Sequence, residues 1–138
     1  VTDDREATER PTLLYDGNCG FCTRTVELAL EVLPHRVTWR PYQEVEDLDS
    51  YGVGEDDAAR AVQFVDPSGR VETGSAAVAK VLVASGGPWS LLGRAMLLPP
   101  VSVAAEIAYH VVAANRRRLP GTTPAMSRPP SQRPGAPA

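Results

Sequence analysis

The chain has few cysteines, few histidines, no excess of basic charge and no long uninterrupted apolar run, and each scarcity narrows the function. Its 138 residues hold 2 cysteines, both in the single spacing Cys19-x-x-Cys22. A secreted disulfide scaffold needs more, spread along the chain. A Cys19–Cys22 bond would close a tiny loop and add little stability through loop entropy. Stapling is therefore a poor reason for the pair, which leaves chemistry or metal. A structural zinc site needs four protein ligands. Beyond the pair only His35 and His110 are obvious candidates, and they lack the paired spacing of a finger. Thr23 rather than His follows Cys22, which rejects haem attachment, and an iron–sulfur cluster lacks ligands within one chain. No cofactor and no metal are expected.

Basic charge is in slight deficit, with 14 Lys and Arg against 17 Asp and Glu for a net charge of −3. The one basic cluster, Arg116-Arg117-Arg118, reads more simply as a last helical turn favoured by the macrodipole than as a nucleic-acid contact. Residues 1–10 are acidic and polar without an apolar leader run, so the cytoplasm is the expected compartment. There the pair would rest reduced and be oxidised only in a cycle. The 91–114 stretch is apolar but holds Arg94, Glu106, Pro99 and Pro100. It reads as amphipathic helices packed on the domain, with a membrane not expected as a partner.

What is present suits one α/β domain. Hydrophobic residues make up 43% of the chain, enough for a core. Residues 1–10 read as a disordered lead. Residues 122–138, with Pro124, Pro129, Pro130, Pro134 and Pro137, read as a disordered tail, which leaves 11–121 as the folded part. Thr12–Tyr15 is a short buried strand stopped by Asp16-Gly17-Asn18. Val26, Ala29, Leu30 and Leu33 form a helical apolar stripe that ends at Pro34. Val37–Arg40 is a second strand, so a βαβ unit with parallel strands is expected. Residues 43–60 are an acidic loop with a short helix near Asp56–Arg60. Ala61–Val65 and Arg70–Thr73 flank the turn residues Asp66-Pro67-Ser68-Gly69 as a β-hairpin. Ser75 is the expected N-cap of a helix over Ala76–Ala84. Helices over 89–98 and from 101 to the Arg116–Arg118 turn follow. Tyr15, Trp39, Trp89 and Tyr109 read as core aromatics. The order β-α-β, hairpin, helix is that of a thioredoxin-like core with extra C-terminal helices.

In that order the cysteine pair falls where the first strand opens into the first helix. A helix N-terminus carries unpaired N–H groups and partial positive charge, which stabilise a thiolate. Cys19, at the mouth of the turn, is the expected nucleophile, and Cys22, one turn into the helix, the resolving thiol. Asp16 has two readings: a proton relay for Cys22, or a cap on the loop backbone. Gly20 lets a partner backbone come close, and Phe21 is a partner contact or a core anchor. Arg24 and Arg40 would raise the positive potential near the dithiol. The expected partner is a disulfide- or thiol-bearing protein or small molecule. The alternative is a non-enzymatic module that binds a protein or a metal on the same scaffold.

Tyr15-Asp16-Gly17-Asn18-Cys19-Gly20-Phe21-Cys22 resembles the DCC family of thiol–disulfide oxidoreductases, whose motif is DxxCxxC. Gly74-Ser75-Ala76-Ala77 is similar to the family's Ser-x-Ala segment. Pro100, Tyr109, Asn115-Arg116 and Gly121 are similar to its C-terminal helical signature. The resemblance spans about 11–121 and implies a thioredoxin-like fold and dithiol redox activity. Two departures stand out. Thioredoxins carry a proline before the third strand, opposite the dithiol, and Ala58–Ala61 contains none. Arg117 and Pro120 stand where family members tend to have aromatics.

Overall fold

The computed structural model of the chain describes residues 10–136. The expected lead, apart from Arg10, lies outside the described residues. β1 (Thr12–Tyr15) enters the Asp16–Asn18 turn, and α1 (Gly20–Val32) starts directly after Cys19. β2 (Thr38–Pro41) runs parallel to β1, with Trp39 opposite Leu13. Two 3-10 turns (Tyr42–Glu44 and Leu48–Tyr51) and α2 (Glu55–Arg60) lead to β3 (Gln63–Val65). β3 is antiparallel to both β1 and β4 (Val71–Thr73), giving the sheet order β2-β1-β3-β4. Three more helices follow: α3 (Ser75–Ser85), α4 (Gly87–Leu97) and α5 (Val101–Asn115). This is the thioredoxin-like order, with an interior strand delivering the cysteine pair.

Alternation along β1 builds a core on each face of the sheet. Leu13 and Tyr15 meet Val26 of α1, Trp39, Phe64, and Ala77 and Val81 of α3 on one face. Leu14 meets Val53, Ala58 and Val65 on the other. Leu14 and Tyr15 are completely buried, and each such side chain contributes about 1.5–3 kcal/mol. Both anchors sit immediately before the Asp16 turn, so the site grows from a fully buried part of the sheet.

The structure corrects three expectations. The first concerns the N-cap of α3, which is Gly74 rather than Ser75. Gly74 has a φ of +67°, which lets the chain swing from β4 into the helix. Ser75 is thereby shifted inside the helix, and its hydroxyl donates to the Glu106 carboxylate on α5.

The second is the tail, which is packed over residues 122–136. Ala125 is fully buried in the core under α1. Tyr15 Oη donates to the Pro134 carbonyl at 2.9 Å. Arg128 pairs with Glu27 and Arg133 with Glu44, each at 2.8 Å. Tail order thus comes from backbone hydrogen bonds and ion pairs to distant residues, which composition does not display. Removing the chain from Thr122 onward is expected to lower the thermal unfolding midpoint by several degrees, read by circular dichroism. At this size each kcal/mol lost moves the midpoint by roughly 4 °C.

The third is the direction that α5 faces. The 91–114 helices were expected to turn their apolar sides inward, yet no residue of α5 is buried. Val101, Val103, Ile107, Val111 and Val112 are exposed. The inward stripe is instead polar or small: Glu106 takes the Ser75 hydroxyl, and Tyr109 Oη accepts from the Val62 amide at 3.0 Å. Trp89 is only half-buried on α4, as is Tyr109 on α5. Among the described residues no single helix is long and apolar enough to cross a membrane, and α4 and α5 meet at 93°.

Candidate redox site

Cys19 is the N-cap of α1, and its Sγ accepts the Cys22 amide at 3.2 Å. The sulfur takes the place of the usual Ser or Asp oxygen at a helix start, so the helix N-terminus acts directly on it. Both thiols are free; Cys19 is buried and Cys22 half-buried. Thr23 fixes the turn from below, since its Oγ1 donates to the Cys19 carbonyl at 2.9 Å and accepts from the Ala125 amide at 3.1 Å.

Asp16 closes the loop in front of the pair. Its Oδ1 accepts from the Asn18 amide at 3.0 Å and from Gln43 Nε2 at 2.8 Å. Gln43 Oε1 in turn accepts from the Gly17 amide at 2.9 Å. The other carboxylate oxygen pairs with Arg116 Nη2 at 3.2 Å. Arg116 then donates through Nη1 to Cys22 Sγ at 3.6 Å and through Nη2 to the Ala59 carbonyl at 2.8 Å. Asp16 is therefore both a loop cap and the orienter of a guanidinium that touches Cys22. The proline-free segment before β3 presents the Ala59 carbonyl as that guanidinium's anchor.

Burial pushes the Cys22 thiol up to about 12, reinforced by its hydrogen bond to Cys19 and by negative charge on Cys19; Arg116 works in the opposite direction. Burial also opposes the Arg116 charge, but Cys22, Asp16 and Cys19 outweigh it and raise the Arg116 pKa. Arg116 stays cationic, its charge facing two sulfurs and one carboxylate.

The two sulfurs face different spaces. A polar cleft of about 480 Å³ over Cys19 is bounded by Asn18, Gly20, Arg117, Leu119 and Thr122. An apolar cavity of about 540 Å³ beside Cys22 lies between α1, α3 and α5, walled by Phe21, Val26, Leu82 and Val112. Asp16, Phe21 and Arg116 border both spaces.

The structure brings Asp16, Cys19 and Cys22 together as the sequence suggested. It does not bring Arg24, which is exposed and pairs with Glu27 at 3.7 Å, and Arg40 sits on β2 opposite Leu14. Arg116 supplies the positive charge in their place. Sequence reasoning missed it because a helix-end arginine already had a sufficient local explanation; the DxxCxxC resemblance included Asn115-Arg116 but gave it no role. Gln43 had no signal at all. His35 bonds the Leu30 carbonyl and His110 pairs with Glu106, at 3.0 and 2.8 Å.

Gly20 does admit a backbone, but it is the chain's own. The Thr122 amide donates to the Gly20 carbonyl at 3.2 Å, and the Met126 amide to the Gly17 carbonyl at 2.9 Å. A Cβ on Gly121 would lie 2.4 Å from the Gly20 carbonyl carbon and the Phe21 nitrogen. Gly121→Ala must displace this strap. It is expected to cost about 1–3 kcal/mol, the usual range for overpacking, and to speed alkylation of Cys19, read by mass spectrometry beside a thermal melt.

A dithiol at a helix start, delivered by an interior strand of a thioredoxin-like sheet, defines a thiol–disulfide redox scaffold. The family model of the DCC1-like thiol-disulfide oxidoreductases matches residues 13–122, and the chain belongs to that family. Neither a curated protein nor a solved structure gives a significant match to the chain.

Proposed function

We propose that the protein exchanges its Cys19–Cys22 dithiol for a disulfide, with Cys19 attacking and Cys22 resolving. The observation that carries this is the unequal treatment of the two sulfurs: Cys19 caps the helix, while Cys22 is held as a thiol by burial and its neighbour. The Cys19 thiolate attacks one sulfur of a substrate disulfide. A Cys19–substrate bond forms as the substrate bond breaks, and the other substrate sulfur leaves as a thiolate. Two of the influences that keep Cys22 protonated come from Cys19 itself. Once Cys19 is bonded to substrate, its charge is gone, and Arg116 faces burial alone. Cys22 then loses its proton and attacks Cys19, and the second substrate thiolate leaves. Two electrons and two protons pass to the substrate, and the reaction runs backwards on a thiol substrate.

Asp16 acts in this scheme as a positioning residue through Arg116. The substrate is a disulfide- or thiol-bearing protein or small molecule that enters the polar cleft over Cys19. A reducing compartment such as the cytoplasm would return the pair to the dithiol between cycles. The test is equilibration of the reduced protein with oxidised glutathione. The protein is expected to lose two hydrogens while releasing two glutathione thiols. Protein that stays reduced, or stays glutathionylated without closing, would overturn the proposal.

A further inference from the structure

The outer surface of α4 and α5 carries a second feature, independent of the dithiol. On α4, Leu91, Arg94 and Ala95 recur at helical spacing on the exposed side and Leu98 follows as the C-cap; Leu91 and Leu98 are 69% and 62% exposed. On α5, Val103, Ile107 and Val111 form an exposed stripe. The exposed residues Pro99 and Pro100 join the two helices. α5 thus turns its large aliphatic residues outward and spends its inward side on polar contacts. Such an arrangement costs solvation unless something apolar covers it.

The charge around this surface identifies the cover. Arg94, Arg117 and Arg118 are exposed, and the ion pairs among the described residues include none of them. Glu106, the acidic residue of the two helices, is engaged by Ser75 and His110. A second copy of the same face would offer these arginines only more arginines. An anionic bilayer offers acyl chains to the aliphatic stripe and phosphates to the rim.

We propose that the α4–α5 face seats the protein on an anionic lipid surface. α5 ends at Arg116, so the seated helix would lead directly to the dithiol and hold it at the membrane–water boundary. The test is flotation of the full chain with vesicles of phosphatidylcholine alone or mixed with phosphatidylglycerol. The protein is expected to float with the mixed vesicles, more weakly with phosphatidylcholine alone, and less as salt rises. Ile107→Glu with Val111→Glu should reduce flotation at least tenfold, and Arg94→Gln with Arg118→Gln severalfold. All these positions are exposed, and circular dichroism checks that the variants fold. Protein that sediments away from both vesicle types would overturn the proposal. So would unchanged flotation of the glutamate variant, or a dimer that forms without lipid and is abolished by the same substitutions. Glutathione exchange read in parallel keeps a failure here separate from a failure of the redox reading.

Discussion

Cys22→Ser is expected to stall at a covalent adduct. A substrate disulfide opened by Cys19 would stay bonded to it, because the group that releases it is gone. Mass spectrometry of the Cys22→Ser protein should show one stable, reductant-sensitive adduct and near-zero turnover. Cys19→Ser is expected to give no adduct at neutral pH. Burial holds the Cys22 thiol up, so at neutral pH little of it is the thiolate that attacks. Removing Cys19 relieves part of that shift but leaves burial, the largest cause, in place. Any residual reaction of the Cys19→Ser protein should therefore rise with pH. Equal adduct yields from the two variants would contradict the assigned roles.

Arg116→Gln should slow the second half of the reaction more than the first. The guanidinium favours the Cys22 thiolate, whereas the neighbouring Cys19 opposes it. Removal of the guanidinium moves the Cys22 pKa further up, so the pH at which resolution becomes fast moves up as well. Hydrogen bonds from a charged group are worth about 1.5–3 kcal/mol, and a pKa unit is 1.36 kcal/mol. Roughly tenfold to hundredfold slower resolution is expected, seen as a longer-lived mixed disulfide in stopped-flow measurements. Arg116→Lys should recover part of the rate. It restores the charge but lacks the fork that reaches Cys22, Asp16 and Ala59 at once. A variant that loses both steps equally would instead mark Arg116 as a structural strut.

The parts of this site that are close in sequence were legible in it. Thr12–Tyr15, the Asp16–Asn18 turn and the helix from Gly20 follow from local pattern and turn chemistry, and they place Asp16, Cys19 and Cys22 together. The hairpin around Asp66–Gly69 was legible for the same reason. The rest depends on contacts across the chain. Arg116 meets Cys22 from 94 residues away, and Gln43 meets Asp16 from 27. Nothing local at either position requires that contact. The tail misled because proline and small polar residues signal a lack of apolar burial. Its order rests on Ala125, on Arg128 and Arg133, and on amides given to Gly17 and Gly20. Helical periodicity revealed an apolar stripe on α5 but not its direction. The polar bonds of Glu106 and Tyr109 decide that, and they turn the stripe outward.

The most direct test of the two-step account is a rapid-quench single turnover of the wild-type protein with a small aromatic disulfide, mapped by peptide mass spectrometry. The account requires an adduct on Cys19 first, decaying at the rate at which the Cys19–Cys22 disulfide appears. An adduct that forms first on Cys22, or one on Cys19 that never closes, would contradict it.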